Sequence, residues 1–331
     1  MSRLLVGTAR FITIVRLILI RFLQRNVISI KRSRFFAPLT QPDQIIRVLP
    51  QRSSLCASRV FVPHRDGDVS RSLPLVIMVH GGGFMMNRPC VDDPIARYVA
   101  DNCSCLVASI DHRKAPTHQF PAAYEDVVES ILALLRGCGP MNVDVSRVVL
   151  CGNSSGGNLV LAAAQDPRLR GMLLGVIALS PVVNLLPTEA EQMAKRPDAT
   201  VPDFLAGMWD TFRDVYVGTD DAEVLRDPRL SPTFFRKRED LPEHIFMVGC
   251  EHDMLCCETE IMANKMANKP REKTQDGWRA GEIQWKLVKG QPHGFDNFAK
   301  KKLEEEEARV RAKAMLYDDI THWLREVFKT T

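Results

Sequence analysis

Val148-Val149-Leu150-Cys151-Gly152-Asn153-Ser154-Ser155-Gly156-Gly157 is the stretch that decides the fold. Its apolar start, from Arg147 to Cys151, reads as a buried strand, and the run Gly157–Gln165 reads as a helix. Between them the chain turns over Gly-x-Ser-x-Gly. So tight a turn leaves no room for side chains on either flank, hence glycine at 152 and 156. Such an elbow lifts Ser154 above the sheet edge as a nucleophile. The backbone N–H of Ser155 opens the helix and can face an oxyanion. Glycine–serine turns are common, and the strand–turn–helix context is what gives this one weight.

Outward from the elbow, short apolar runs alternate with helical ones. Ser58–Val62, Leu75–His80, Cys105–Ile110, Leu174–Leu179, His244–Gly249 and Ile283–Val288 read as strands, and Ala122–Leu135 and about Glu304–Phe328 as helices. Strands apolar on both faces and alternating with helices predict a mostly parallel sheet covered on both sides, the α/β class. Two segments fit the alternation badly: the first ~50 residues, and Asn184–Asp227, which carries Trp209 and Phe212 in a helical stretch. Together they are expected to form a lid over the C-terminal edge of the sheet. Lys269–Glu282 reads as a solvated loop.

Two further loops carry chemistry. His80-Gly81-Gly82-Gly83-Phe84 directly follows a buried strand. Its three glycines let backbone N–H groups approach a ligand closely, as in the oxyanion loops of lipases and esterases. His80 reads as a support for that loop rather than a base. After the strand His244–Gly249 comes Cys250-Glu251-His252-Asp253, and after the strand ending at Val288 comes Gln291-Pro292-His293-Gly294-Phe295. The chain order Ser154, Asp253, His293, each following a strand, is that of a serine hydrolase triad on a parallel sheet. His252 is the nearby rival base.

These residues resemble the hormone-sensitive-lipase-like branch of the α/β-hydrolases, which includes arylacetamide deacetylases and many carboxylesterases. The resemblance covers roughly 55–328. It rests on HGGGF at 80–84, Asp111-His-Arg-Lys-Ala-Pro with Phe120-Pro-Ala-Ala, GNSSGG at 152–157, Asp227-Pro-Arg-Leu-Ser-Pro, Asp253-Met-Leu and His293-Gly-Phe. It implies an α/β-hydrolase fold with an eight-stranded sheet and a helical cap. The cap would come from the N-terminal segment, 1–50, and an insertion at about 184–227 within the catalytic domain, 51–331. The sequence departs from the family at Asn153, Ser155 and His112, where Asp, Ala and Tyr are usual. It also lacks the Arg and Asp that commonly follow the acid, having Cys256 and Cys257 before Glu258.

The expected activity is hydrolysis of a small to medium-sized carboxylic ester, an acetyl ester being one candidate. Ser154, Asp253 and His293 would form the triad, and the N–H groups of Gly82, Gly83 and Ser155 the oxyanion hole. His80, Gly81, Gly152 and Gly156 would shape the loops, and Phe84, Trp209 and Phe212 the pocket. No metal or organic cofactor is expected. The alternatives are a non-catalytic small-ligand receptor of the same fold, as plant gibberellin receptors are, and a membrane-associated lipase. The complete Ser154, Asp253, His293 set argues against the receptor.

Composition agrees. The 331 residues are 45% hydrophobic and 25% charged, which excludes disordered and fibrous classes. The net charge is +4, but residues 1–42 hold eight Lys/Arg and no acid, so the body is mildly acidic and nucleic-acid binding is not expected. Nine cysteines, an odd number without metal-type spacing, point to a reducing compartment. Residues 4–23 are apolar but broken by Arg10, Arg16 and Arg21, short of the ~20 residues a bilayer span needs. That segment reads as a cap helix, a membrane-interfacial helix, or an organelle-targeting segment. The expected location is cytoplasmic, with membrane association or endoplasmic-reticulum or organelle targeting through this segment as alternatives. A homodimer is the other partner expectation.

Overall fold

A computed structural model describes residues 40–64, 72–138 and 142–330, together with Val15. The three readings of the N-terminal segment therefore lie outside the described residues. Among the described residues, no helix is long and apolar enough to cross a membrane.

Among the described residues, ten strands form one sheet: β1 (Gln44–Ile46), β2 (Ser58–Phe61), β3 (Leu73–Val79), β4 (Leu106–Ile110), β5 (Val143–Asn153), β6 (Gly175–Leu179), β7 (His244–His252), β8 (Glu272–Thr274), β9 (Gly277–Ala280) and β10 (Ile283–Pro292). Their order is β1-β2-β4-β3-β5-β6-β7-β10-β9-β8. From β4 through β10 the neighbours are parallel, and antiparallel pairs finish both edges.

The alternation of side chains across each strand builds two cores. Leu75, Ile77 and Val79 of β3 face one side, with Val148 and Leu150 of β5, under the helices Ala122–Leu135 (α2) and Ser155–Ala163 (α3). Val76 and Met78 face the other, with Val149 and Cys151, under Asp93–Cys103 (α1) and Leu303–Val327 (α8). A sheet buried on both faces requires central strands without polar alternation, which is how β3, β4 and β6 read in the sequence.

The strand count exceeds the expected eight because Lys269–Glu282 is not a solvated loop. It contains the hairpin β8–β9, which pairs with β10. Trp278 and Ala280 turn inward from β9, while all three residues of β8 are exposed. The basic and acidic residues around them hide the alternation. Gly277 permits the pairing, since a Cβ there would lie 2.1 Å from the Trp285 carbonyl oxygen. The sequence reading also left unmarked α1 and the helix Cys256–Met266 (α7), each tied to the sheet by buried small and sulfur-containing residues.

Between β6 and β7 the chain leaves the alternation, as expected, and forms three short helices: Glu189–Ala194 (α4), Trp209–Val217 (α5) and Ala222–Leu225 (α6). The Asp227-Pro-Arg-Leu-Ser-Pro run fastens its return. The Asn158 side chain of α3 donates to the Leu230 carbonyl (2.8 Å), and Ser231 Oγ accepts the Leu185 N–H (2.9 Å).

Candidate active site

The site forms where parallel strands end together. Gly152 of β5 is in register with Val79 of β3, and His252 of β7 with Pro292 of β10. The four loops that follow these strands therefore open on the same edge.

At the elbow Ser154 holds φ 56°, ψ −120°, a conformation unusual for a residue with a side chain. The glycines explain how the turn closes. A Cβ on Gly152 would lie 2.3 Å from the Gly156 carbonyl oxygen, and one on Gly156 would lie 2.0 Å from that of Val79. The Ser154 N–H donates to the Leu179 carbonyl of β6 (2.8 Å), which anchors the turn to the sheet.

Ser154 Oγ is 2.9 Å from His293 Nε2, and His293 Nδ1 is 2.8 Å from Asp253 Oδ2. Asp253 is fully buried, and its other oxygen accepts the Leu255 N–H at 3.0 Å. Burial lowers the pKa of His293, but the carboxylates around it, Asp253 foremost, outweigh this, and the net direction is upward. The rival His252 turns away, with Nε2 3.5 Å from Asp198. Two other serines lie near the elbow: Ser180 Oγ meets Cys250 Sγ at 3.2 Å, and Ser155 Oγ is buried without a partner.

The glycine loop lies beside this array. A Cβ on Gly81 would lie 3.1 Å from Ser154 Cβ, and one on Gly83 would lie 2.7 Å from the Phe212 ring. Gly82 and Gly83 adopt φ +131° and +59°. His80 is fully buried; its Nδ1 contacts the Gly81 carbonyl (2.8 Å) and its Nε2 the Asp111 carboxylate (3.0 Å). Asn87, which the sequence reading missed, donates from Nδ2 to the same Gly81 carbonyl (3.1 Å). In a trans peptide the carbonyl and the next N–H point in opposite directions. Holding Gly81 O therefore also aims the Gly82 N–H, away from His80.

Asp111 is the hub beneath. It accepts from Lys114 Nζ and from the Cys56 N–H (2.7 Å). Burial would raise its pKa, but Lys114 and then His80 hold it well below the usual carboxylate range. His112, standing where the family has Tyr, stacks on His80 at 4.7 Å, and burial followed by Lys114 pushes its pKa down. Glu258, on the helix that follows the Asp253 loop, accepts from Lys195 Nζ and Asn184 Nδ2, both at 2.9 Å.

A cavity of about 890 Å³ opens over Ser154 and His293. Phe84, Trp209 and Phe212 all line it, as do Leu185, Leu205 and Met208. Phe84 itself is almost fully buried and stacked on Tyr216 at 3.9 Å, so it forms the wall more than the opening.

A family model described as an alpha/beta hydrolase fold matches residues 76–297. An arylesterase of Saccharolobus solfataricus is 28% identical over 200 residues, 58% of this chain and 61% of that protein. A probable carboxylesterase 8 of Arabidopsis thaliana is 33% identical over 152 residues, 41% of this chain and 45% of that protein. The chain thus spans less than two thirds of the curated relatives it matches. Among solved structures, a hyperthermophilic esterase from the archaeon Pyrobaculum calidifontis superposes with a TM-score of 0.66 at 26% identity, covering 82% of this chain and 79% of that one.

Proposed function

The chain belongs to the alpha/beta hydrolase fold family, and on that premise we propose that it is a serine carboxylesterase acting on small to medium-sized esters. The observation that carries the proposal is the unbroken relay from Asp253 Oδ2 through His293 to Ser154 Oγ, with links of 2.8 and 2.9 Å. An arylesterase and a probable carboxylesterase among the relatives support the choice of ester over other acyl substrates.

In this reading Asp253 accepts a hydrogen bond from the Nδ1–H of His293, which keeps that proton on Nδ1 and leaves Nε2 as the base. Ser154 Oγ attacks the ester carbonyl carbon as its proton passes to Nε2. The carbonyl oxygen becomes an oxyanion held by the N–H groups of Gly82, Gly83 and Ser155. Collapse of the tetrahedral intermediate breaks the bond to the alcohol oxygen, which takes the proton back from Nε2. Water then adds to the acyl-Ser154 ester by the same proton route and releases the acid. The raised pKa of His293 suits the imidazolium that each half-reaction forms. A cavity of about 890 Å³ with an apolar wall at Leu185, Leu205, Met208 and Trp209 suits a compact ester with an apolar arm.

The test is labelling with a fluorophosphonate, read by peptide mass, together with turnover of p-nitrophenyl esters of graded chain length. Label on Ser154 and loss of turnover in Ser154→Ala are expected. Label on Ser155 or Ser180 would refute the assignment.

A further inference from the structure

The insertion between β6 and β7 does more than cover the cavity. At 201–205 it reaches down onto the loop that carries Asp253. Asp203, 7% exposed, accepts the Met254 N–H at Oδ2 (2.6 Å) and the Leu205 N–H at Oδ1 (2.7 Å). Met254 is the residue after Asp253, and the next amide, Leu255, is held by Asp253 itself (3.0 Å). Two successive amides of the acid loop are thus gripped by two different carboxylates, one of them from the insertion. The neighbouring Phe204 stacks over His293, with ring centroids 6.5 Å apart and planes 15° apart. Beyond the other flank of Asp253, His252 faces Asp198 of the same insertion at 3.5 Å.

We infer that Asp203 is a positioning residue of the reaction, clamping the Asp253 loop from the insertion and adding a second carboxylate to the surroundings of His293. The inference rests on the triad reading above.

Two physical consequences follow from this placement. The first is geometric. Asp253 can orient the imidazole only if its own backbone is fixed, and misplacing a catalytic group by about 1 Å can cost roughly 10² in rate. Asp203 Oδ2 supplies that fixing from a different element. The second is electrostatic. The charged groups that bear on His293 are Asp253 from the β7–α7 loop, Asp203 from the insertion, and Asp296 three residues on. Burial lowers the pKa of His293, and these three carboxylates raise it. Asp203 is itself raised, by burial first and with Asp253 as the repelling charge, while the Leu205 and Met254 N–H groups and His293 pull it back. Neutralising position 203 removes one source of imidazolium stabilisation, so the base should titrate lower. His293 works as the neutral base, and the acid limb of kcat/KM should move to lower pH.

The experiment measures kcat and kcat/KM for p-nitrophenyl acetate from pH 5 to 9, with melting curves, on the full chain and its Asp203→Asn, Asp203→Glu and Ser154→Ala variants. Asp203→Asn should lower kcat by about 10- to 100-fold and move the acid limb down by a few tenths of a pH unit up to about one. Asp203→Glu keeps the charge on a longer arm, so it should lower kcat while leaving the limb in place. A folded Asp203→Asn protein whose kcat stays within twofold, or whose acid limb stays in place or rises, overturns the inference. If Asp203→Asn does not fold, Asp203→Glu decides: wild-type kcat in that variant overturns it. Ser154→Ala separates the two claims. Residual turnover near wild type there overturns the triad reading, whereas a dead Ser154→Ala beside an unaltered Asp203→Asn overturns only the role of Asp203.

Discussion

Replacing Asp253 by Asn tests the relay at its most buried link. The substitution changes no volume, so packing is preserved and the effect is chemical. Asp253 uses both oxygens as acceptors, one from His293 Nδ1 at 2.8 Å and one from the Leu255 N–H at 3.0 Å. An amide has one acceptor and one donor end, so it can satisfy only one of these partners. If its oxygen keeps Leu255, its NH₂ faces Nδ1, which must then accept. The imidazole proton moves to Nε2, and the nitrogen facing Ser154 Oγ is no longer a base. If the oxygen instead faces Nδ1, the NH₂ opposes the Leu255 N–H in a fully buried site, at a cost of about 1–3 kcal/mol. The imidazolium then also lacks its counter-charge. The corresponding Asp→Asn change in a serine protease triad costs about 10⁴ in kcat, or roughly 5–6 kcal/mol at 1.36 kcal/mol per decade. We expect a fall of about 10³–10⁴ for Asp253→Asn, with the residual acid limb shifted to lower pH because the main group raising the His293 pKa is gone. The assay is p-nitrophenyl butyrate hydrolysis across pH 5–10, with near-ultraviolet circular dichroism to establish the fold. A folded variant retaining kcat within tenfold of wild type would refute the reasoning.

The glycine loop and the surrounding charges give further outcomes. Gly83→Ala must place a Cβ at φ +59° and 2.7 Å from the Phe212 ring, so kcat should drop by roughly 10–10³ as an oxyanion donor is displaced, measured by steady-state kinetics on a folded protein. Asn87→Ala removes one of the two holds on the Gly81 carbonyl; a kcat loss of about tenfold with little change in KM is expected. In the wild type, kcat/KM should rise with pH through one ionisation lying above the ordinary histidine pKa, since the His293 pKa is raised and the neutral form is active. Lys114→Met should destabilise the fold by about 3–5 kcal/mol in urea titration, by leaving the buried Asp111 carboxylate without its cation. Because the Asp111 pKa is depressed in the folded protein, the stability it contributes is present above the unfolded carboxylate pKa and is lost as pH falls toward the folded one. Deleting residues 1–30 should change chain-length preference or melting temperature if that segment caps the pocket. If the segment is interfacial, the deletion should abolish only salt-sensitive liposome binding.

Local patterns in the chain were enough to mark the class of fold and to single out Ser154, Asp253 and His293, which folding brings within hydrogen-bond distance of one another. A strand buried on both faces shows no polar alternation, so β3, β4 and β6 are legible as near-continuous apolar runs, with Ser109 of β4 as the polar exception. A turn that holds Ser154 at φ 56° needs glycine on both sides, and that requirement is written at 152 and 156. Chain order after strand ends was sufficient to pair Asp253 with His293. Other features exist only once distant segments meet. The choice between His252 and His293 is made by direction: adjacent residues on a strand end point to opposite sides, and the insertion draws His252 to Asp198. Asn87 and Asp203 carry no motif, because each acts on a backbone group brought near by folding, the Gly81 carbonyl six residues away and the Met254 amide 51 residues away. The β8–β9 hairpin was hidden for the complementary reason. A short edge strand with three exposed residues has no hydrophobic face to read, and its existence depends on the hydrogen-bonding edge that β10 offers it through β9. Periodicity records which side chains a segment must bury; the partners of its polar groups are set by tertiary approach.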